Sequence, residues 1–227
     1  MKKFELTTDT KMFLGRKLFR IKALISFGNV KVGDMGGYIE KEENLSQSGD
    51  AWVYGDAWVY GNARVSGNAE VYGDAEVYGD AEVSGNAKVY GNAWVTGNAK
   101  VSGNAKVSGD AEVSGNAWVY GDAEVSGNAK VYGNAWVTGN AKVSGNAKVS
   151  GDADYATASG FGSECRTTTF FKLKNSDEIG VRCGYFYGTL KEFKEKVKET
   201  HGETKKAKEY LMLADLMEYR FSEEKKA

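Results

Sequence analysis

The sequence predicts a mainly β protein whose central shaft is a parallel coil of short strands, and three observations support this prediction. A Gly-[Asn/Asp]-Ala unit recurs every six residues from Gly49 to Gly151, eighteen times in all. Val occupies the fifth place of each unit from Val53 to Val149 without exception. Proline is absent from the chain, which suits a hydrogen-bond ladder that uses every backbone N–H group.

Each six-residue unit reads as a strand of four residues followed by a corner of two. Ala51 and Val53 are two residues apart, so their side chains point to the same face of the strand. Gly55 and Asp56 form the corner, because glycine tolerates positive φ and Asn or Asp are the next best residues there. A helix is excluded, since a glycine in every unit would cost it about 1 kcal/mol each. The repeat therefore predicts strands that pair in parallel with their copies one turn further on.

The repeated phrase from Gly49 to about Ala153 resembles the hexapeptide-repeat family. This resemblance implies a left-handed parallel β-helix with three hexads in each triangular coil, and the handedness rests on the resemblance alone, because a right-handed crossover is the default. The eighteen units then give about six or more three-sided coils, and we expect one or two irregular hexads after Ala153. The shaft is assigned residues 49–166. Within it, residues 84–111 recur letter for letter as residues 126–153.

Residues 1–48 are expected to form an N-terminal β cap, because the open end of a coil exposes ladder groups that must be covered. Within this cap, residues 4–6 and 17–27 read as strands. Residues 30–39 are rich in glycine, and we expect a turn there before the first coil. They do not resemble a phosphate-binding loop, because they lack its spacing and its Lys-Ser/Thr end.

Residues 167–227 are expected to form a small α+β domain that consists of a hairpin and two helices. The hairpin combines strands at 167–174 and 179–187 around a turn at 175–178.

Thr189 and Glu192 form a capping box at the start of the first helix, and Gly202 ends that helix. The second helix is expected from about Thr204 to Phe221. Its apolar residues share one face, which Leu213 and Leu216 widen: Ala207, Tyr210, Leu211, Ala214, Met217 and Phe221.

The outward aromatic side chains of the shaft are the candidate binding or oligomer surface. They are Trp52, Tyr54, Tyr72 and Tyr90 on one face, Trp58, Tyr60, Tyr78 and Trp94 on the second, and Trp118, Tyr120 and Trp136 on the third. Contiguous exposed aromatic residues are usually covered. We expect a trimer that packs through an early aromatic face, formed by the residues of the second face with those of the first beside them, so that the cover is a second copy of the chain. The chain's own segment 1–48 is the competing cover. The other interpretation is that these good strand formers stack on one another.

Several residue patterns argue against catalysis. The one histidine, His201, lies outside the repeat, whereas the hexapeptide acyltransferases of the resembled family use a histidine base within the coils. Cys165 and Cys183 provide neither a disulfide framework nor metal-ligand spacing. A net charge of −1 indicates no nucleic-acid groove. We therefore expect that the protein is not an enzyme and has no catalytic residue, metal or cofactor. The lack of an apolar span or signal peptide indicates a cytoplasmic protein without a membrane contact.

Residues 183–221 resemble the C-terminal part of bacteriophage and prophage proteins of Gram-positive bacteria that also carry a hexapeptide shaft. The expected function is that of a non-catalytic binding or scaffold protein in the host cytoplasm. Its shaft would present aromatic faces and end domains to a protein partner and to itself. Two alternatives stay open, namely a phage inhibitor that binds a host immune protein or sequesters its nucleotide signal, and a degenerate acyltransferase. No residue pattern identifies a site for such a nucleotide.

Overall fold

The computed structural model describes residues 2–162, 164–174 and 176–222. The N-terminal strands are β1 (Phe4–Phe13), β2 (Arg16–Ala23) and β3 (Met35–Ile39), followed by a 3₁₀ helix at Glu42–Asn44. The shaft strands β4 to β20 contain two residues each, and every one ends on the valine of its unit. They are Trp52–Val53, Trp58–Val59, Arg64–Val65, Glu70–Val71, Glu76–Val77, Glu82–Val83, Lys88–Val89, Trp94–Val95, Lys100–Val101, Lys106–Val107, Glu112–Val113, Trp118–Val119, Glu124–Val125, Lys130–Val131, Trp136–Val137, Lys142–Val143 and Lys148–Val149.

The C-terminal unit follows a second 3₁₀ helix at Asp152–Asp154. Its elements are β21 (Tyr155–Ala158), β22 (Thr168–Lys172), β23 (Ile179–Cys183), β24 (Phe186–Thr189), α1 (Leu190–His201) and α2 (Lys205–Phe221).

The shaft is a parallel β-solenoid of about six turns. Each strand from β4 to β17 pairs in parallel with the strand eighteen residues further on, as Trp52–Val53 does with Glu70–Val71. Three sheets result, in the orders β4-β7-β10-β13-β16-β19, β5-β8-β11-β14-β17-β20 and β6-β9-β12-β15-β18. The repeat alanines from Ala51 to Ala147 and the valines from Val53 to Val149 are buried in one continuous core, whereas Ala153 is exposed. The predicted three-sided coil with Ala and Val inside is confirmed.

The corners explain why the repeat tolerates so little variation. The corner glycines from Gly49 to Gly145 have φ between 58° and 75°, which is the left-handed region that favours glycine. At several corners, the Asn that follows the glycine donates a side-chain hydrogen bond to the Asn or Asp one coil further on. Asn68 donates a side-chain hydrogen bond to Asn86, which donates to Asn104, at 3.0 Å in both cases. The corners are thus held by amide ladders as well as by backbone conformation.

The N-terminal segment differs from the prediction at residues 35–39, where the expected turn is wrong. Here β3 pairs in parallel with β5, so that Tyr38 lies opposite Trp58. A Cβ atom on Gly36 would lie 2.6 Å from the carbonyl oxygen of Val53, so glycine is required for close approach rather than for a turn. The first strand is also longer than residues 4–6, and β1 and β2 form a hairpin that extends the second sheet of the shaft.

The two ends of the shaft differ in the backbone groups that they expose at the corners and strand ends. There the N–H groups of each coil donate to carbonyl groups of the following coil, as Tyr54 does to Val71, so the first coil exposes carbonyl oxygens at these positions and the last coil exposes N–H groups. At the first coil, donors of the N-terminal segment bind these oxygens. They are the Tyr38 amide to Ala57 at 2.9 Å, the Asn44 side chain to Ala63 at 2.8 Å, and the Lys3 ammonium to Ala51 at 2.9 Å.

At the last coil, side-chain oxygens accept from the exposed N–H groups. They are Asp152 for Trp136 at 3.0 Å, Thr169 for Lys142 at 2.9 Å, and Asp154 for Ser150 at 2.9 Å. Unpaired ladder groups at a sheet end are costly. The N-terminal segment therefore supplies hydrogen-bond donors to the first coil, and the residues that follow the shaft supply acceptors to the last coil.

The repeat ends earlier than expected. The irregular hexads expected after Ala153 are not formed, because β21 pairs antiparallel with β22 in a four-stranded sheet, of order β21-β22-β23-β24. The C-terminal unit therefore begins before residue 167. The second predicted strand, at 179–187, is two strands, because a turn at Gly184 and Tyr185 brings Cys183 opposite Phe186.

The predicted turn at 175–178 includes Asn175, which lies outside the described residues, as do residues 223–227 of the predicted C-terminal domain. Strand β22 joins the two cores. Phe171 packs into the shaft core, whereas its neighbour Phe170 packs among the helices. Adjacent residues of a strand point to opposite faces, so both faces of β22 are covered.

Both helices begin and end close to their predicted bounds. Thr189 accepts from the backbone of Glu192 in the predicted capping box, and Gly202 follows α1 with positive φ. In α2, the predicted apolar face is buried at Ala207, Tyr210, Ala214 and Met217. Leu216 is an exception, because it is 54% exposed and does not widen the buried face.

Candidate interaction surfaces and C-terminal cavities

The chain's own N-terminal segment covers the first tryptophan of the shaft. Trp52 is buried, with the Phe4 ring at 6.2 Å and the Phe27 ring at 5.4 Å, both edge to face. Lys3 lies beside it and is buried while it donates to backbone carbonyls. Burial lowers the pKa of Lys3 to about 8, although the Asp50 carboxylate acts in the opposite direction. Trp52 is therefore a core residue of the capped end.

The same segment covers the early aromatic residues of the second sheet. Phe13 lies edge to face on Trp58 at 4.8 Å and on Tyr60 at 5.8 Å. Tyr60 is buried with Leu18 and donates a hydrogen bond to Glu76 at 3.1 Å. Burial, reinforced by the Glu76 carboxylate, raises the pKa of Tyr60. In this structure, residues 1–48 occupy the place that the expected oligomer contact would take at Trp52, Trp58 and Tyr60.

Several of the remaining aromatic residues stack along the shaft. Parallel ring pairs occur at Tyr60–Tyr78 (4.9 Å), Tyr72–Tyr90 (4.8 Å) and Trp118–Trp136 (5.0 Å). These distances match the spacing of neighbouring strands, so the rings stack because the coils do. Half-buried positions are Tyr54, Trp58, Tyr72, Tyr78, Tyr90 and Tyr120.

Three of the predicted site residues are exposed. Trp94 is 47% exposed on the second sheet, whereas Trp118 and Trp136 are 38% and 45% exposed on the third. Tyr120 lies edge to face against Trp136 at 6.4 Å. Trp118, Tyr120 and Trp136 form one continuous group near the last coil, which we call the tryptophan surface.

A second exposed apolar group lies on α2 and was missed at the sequence level. Met212, Leu216 and Tyr219 are 71%, 54% and 80% exposed. Their spacing of four and three residues places them on one side of the helix, and we call them the helix stripe. The sequence signal was present, because α2 carries two apolar faces where a surface helix needs only one.

The C-terminal unit also contains the chain's histidine and both cysteines. A cavity of about 180 Å³ is lined by Cys183, His201 and Tyr210 together with apolar side chains of α1. Thr168 donates to the Cys183 sulfur at 3.1 Å, and the His201 ring lies 6.0 Å from the Tyr210 ring. Burial, with a further contribution from Cys183, raises the pKa of Tyr210 to about 12.

A second cavity, of about 540 Å³, adjoins the first and is more polar. We call it the basic cavity, because Lys142, Arg166 and Arg182 line it. Glu164, Cys165 and the exposed Tyr185 also form part of its wall, and Glu164 and Arg166 line the smaller cavity as well.

Comparison with known proteins supports the fold of the shaft. A family model described as YdcK Beta solenoid repeat matches residues 57–73, which is about one coil. No curated protein matches the chain. Among the described residues, no helix has the length and apolar character needed to cross a membrane. The chain is thus similar to a β-solenoid repeat over a short stretch, and its parallel coils agree with that similarity.

Proposed function

We propose that this chain is a non-catalytic binding protein of phage or prophage origin, acting in the host cytoplasm, whose solenoid holds an end unit that binds a host protein. The observation that carries the proposal is the helix stripe. Met212, Leu216 and Tyr219 lie on the outer side of α2, while its other side packs on α1 and the sheet. The resemblance of residues 183–221 to phage and prophage proteins supports a host protein as the partner.

The size of the helix stripe suits a contact surface. A full aromatic side chain buries about 150–250 Å², so the three exposed side chains offer roughly 300–400 Å² of mostly apolar surface. The largest patch on a typical monomer is of about this size and is often functional. A specific complex buries about 800 Å² on each partner, so the stripe would be the centre of a larger contact.

The regularity of the shaft supports a role without catalysis. Its strands keep the eighteen-residue spacing from Trp52 to Val149, with no loop inserted between coils to form a substrate site. The histidine that could act as a general base lies on α1, where its ring stacks with Tyr210.

The tryptophan surface supports self-association, for which we propose a trimer. Trp118 and Trp136 are exposed at the same end of the shaft as the helix stripe. Aromatic side chains are favoured at the centres of protein interfaces. Sedimentation velocity tests this contact. Trp118→Lys should yield monomers, whereas Ser108→Lys, which adds the same charge on another sheet, should leave the assembly intact. A monomeric wild-type protein would contradict the proposed trimer.

Quantitative co-purification from the native host tests the protein-binding role. A partner that binds wild type should be lost with Leu216→Lys and retained with Lys206→Glu, an exposed change on α2 outside the helix stripe. Circular dichroism checks that both variants stay folded. Equal recovery of the partner with both variants would contradict the assignment of the helix stripe, and acyl transfer from acyl-coenzyme A by the wild-type protein would contradict a non-catalytic role.

A further inference from the structure

The basic cavity gathers three cationic side chains from separate parts of the chain. Lys142 is on β19, the last strand of its shaft sheet, and Arg166 lies in the segment before β22. Arg182 is on β23 of the C-terminal sheet. The cavity therefore exists only where the shaft and the C-terminal unit meet, and the Lys142 amide helps to hold that junction through its bond to Thr169.

The positive charge of this cavity is only loosely compensated. The Arg166 guanidinium is 3.7 Å from the Glu164 carboxylate, and both side chains are about half exposed or more. Lys142 is 3.1 Å from Glu124, also in partly exposed positions. Within the described part of the chain, no carboxylate lies within 4.0 Å of Arg182. Exposed ion pairs contribute little, so an anionic ligand can replace them at small cost.

An aromatic ring lies at the rim of the same cavity. Tyr185 occupies the two-residue turn between β23 and β24 and is 94% exposed. The Arg182 guanidinium donates to the Tyr185 carbonyl oxygen at 3.3 Å, which fixes this arginine to the turn. The Arg166 guanidinium lies 6.0 Å from the Tyr185 ring centre. A ring on a turn that one arginine binds through its backbone, with a second arginine beside the ring, can stack on a planar group while the arginines bind the charge of that ligand.

We propose that the basic cavity binds an organic phosphate that carries a planar aromatic ring. Arg166 and Arg182 bind the phosphate group, because the guanidinium fork matches phosphate oxygens, and Lys142 adds a third positive charge. Tyr185 stacks on the planar ring of the ligand. A ligand of this size suits a cavity of about 540 Å³. This site is separate from the helix stripe, so it goes beyond the proposed protein-binding function.

Isothermal titration calorimetry of the full chain tests the site, with three probes: adenosine 5′-monophosphate, inorganic phosphate and adenosine. The nucleotide should bind more tightly than either fragment. Arg182→Gln should weaken nucleotide binding by at least about tenfold. Arg64→Gln, which removes one exposed guanidinium from the shaft, should leave binding unchanged.

Tyr185→Ala separates the two parts of the proposed site. It should weaken binding of the nucleotide and leave binding of inorganic phosphate unchanged. The proposal is overturned if the nucleotide does not bind, or if Arg182→Gln and Arg64→Gln bind it equally. Equal binding of nucleotide by wild type and Tyr185→Ala would overturn the stacking role of the ring. None of these outcomes depends on whether a host protein binds the helix stripe.

Discussion

Replacing Gly97 by alanine is expected to disrupt the stacking of two coils, and Gly139→Ala is its matched control. Both glycines have left-handed backbones, with φ of 69° and 64°. A Cβ atom on Gly97 would lie 2.9 Å from the backbone nitrogen of Gly115, whereas a Cβ atom on Gly139 would meet nothing within 4 Å. Both variants therefore place an alanine in a left-handed backbone, but only Gly97→Ala also introduces a steric clash with the next coil.

The shared cost is the left-handed backbone, which is about 1–2 kcal/mol for an L-residue with a Cβ atom. The second cost applies to Gly97 alone, because its neighbour is backbone and can move only if the coils separate. Overpacking of an interior typically costs about 1–3 kcal/mol. We therefore expect Gly97→Ala to lower the free energy of unfolding by about 2–5 kcal/mol, and Gly139→Ala to lower it by about 1–2 kcal/mol.

Urea denaturation measures both values, followed by far-ultraviolet circular dichroism and by tryptophan fluorescence. Stacked repeats can unfold in parts, so the two probes must give the same transition before free energies are compared. Gly55→Ala is a second control near the first coil, since a Cβ atom there also meets nothing within 4 Å. Equal destabilisation in all three variants would refute the reasoning, because the backbone angle alone would then explain the requirement for glycine.

Two further predictions concern the capped ends. Burial lowers the pKa of Lys3 to about 8, while the unfolded chain keeps this lysine protonated to higher pH. The wild type should therefore gain on the order of 2 kcal/mol relative to Lys3→Met between pH 8 and pH 10, and a pH-independent difference in urea denaturation would contradict this. Burial opposes ionisation of Asp154, but hydrogen bonds from Ser150 and Lys172 outweigh it and lower its pKa. Asp154→Asn should thus cost about 1–2 kcal/mol at pH 7, and the cost should fall as the pH drops through the lowered native pKa. An equal cost at pH 7 and near pH 2 would argue against a role for the ionised carboxylate.

The shaft was predictable because its signal is periodic. A valine at every sixth position identifies each strand, the side of the strand that faces the core, and the strand with which it pairs. The valines from Val53 to Val149 are all buried, as expected. The helices were predictable for a local reason, since Thr189 and Gly202 act on residues within one turn of themselves.

The ends were harder to predict because their structure depends on distant contacts. The pairing of β3 with β5 makes glycine necessary at Gly36 and Gly37, yet glycine-rich sequences more often indicate turns. Tyr155 keeps the six-residue register but joins an antiparallel sheet, because β22 is there to pair with it. The basic cavity draws side chains from residues 142, 166 and 182, a grouping that no spacing in the sequence indicates.

The eighteen-residue coil also determines how the two end units face each other. Coils stack about 4.8 Å apart, so one added hexad moves the C-terminal unit by about 1.6 Å along the axis and turns it by one third of a revolution. The repeated segment 84–111 recurs 42 residues later, which corresponds to seven hexads. An insertion of that length moves the end unit by about 11 Å and leaves it rotated by one third of a revolution. The number of repeats therefore sets both the distance between the two end units and their rotation about the shaft axis. Only insertions of whole coils lengthen the protein while its ends keep their relative orientation.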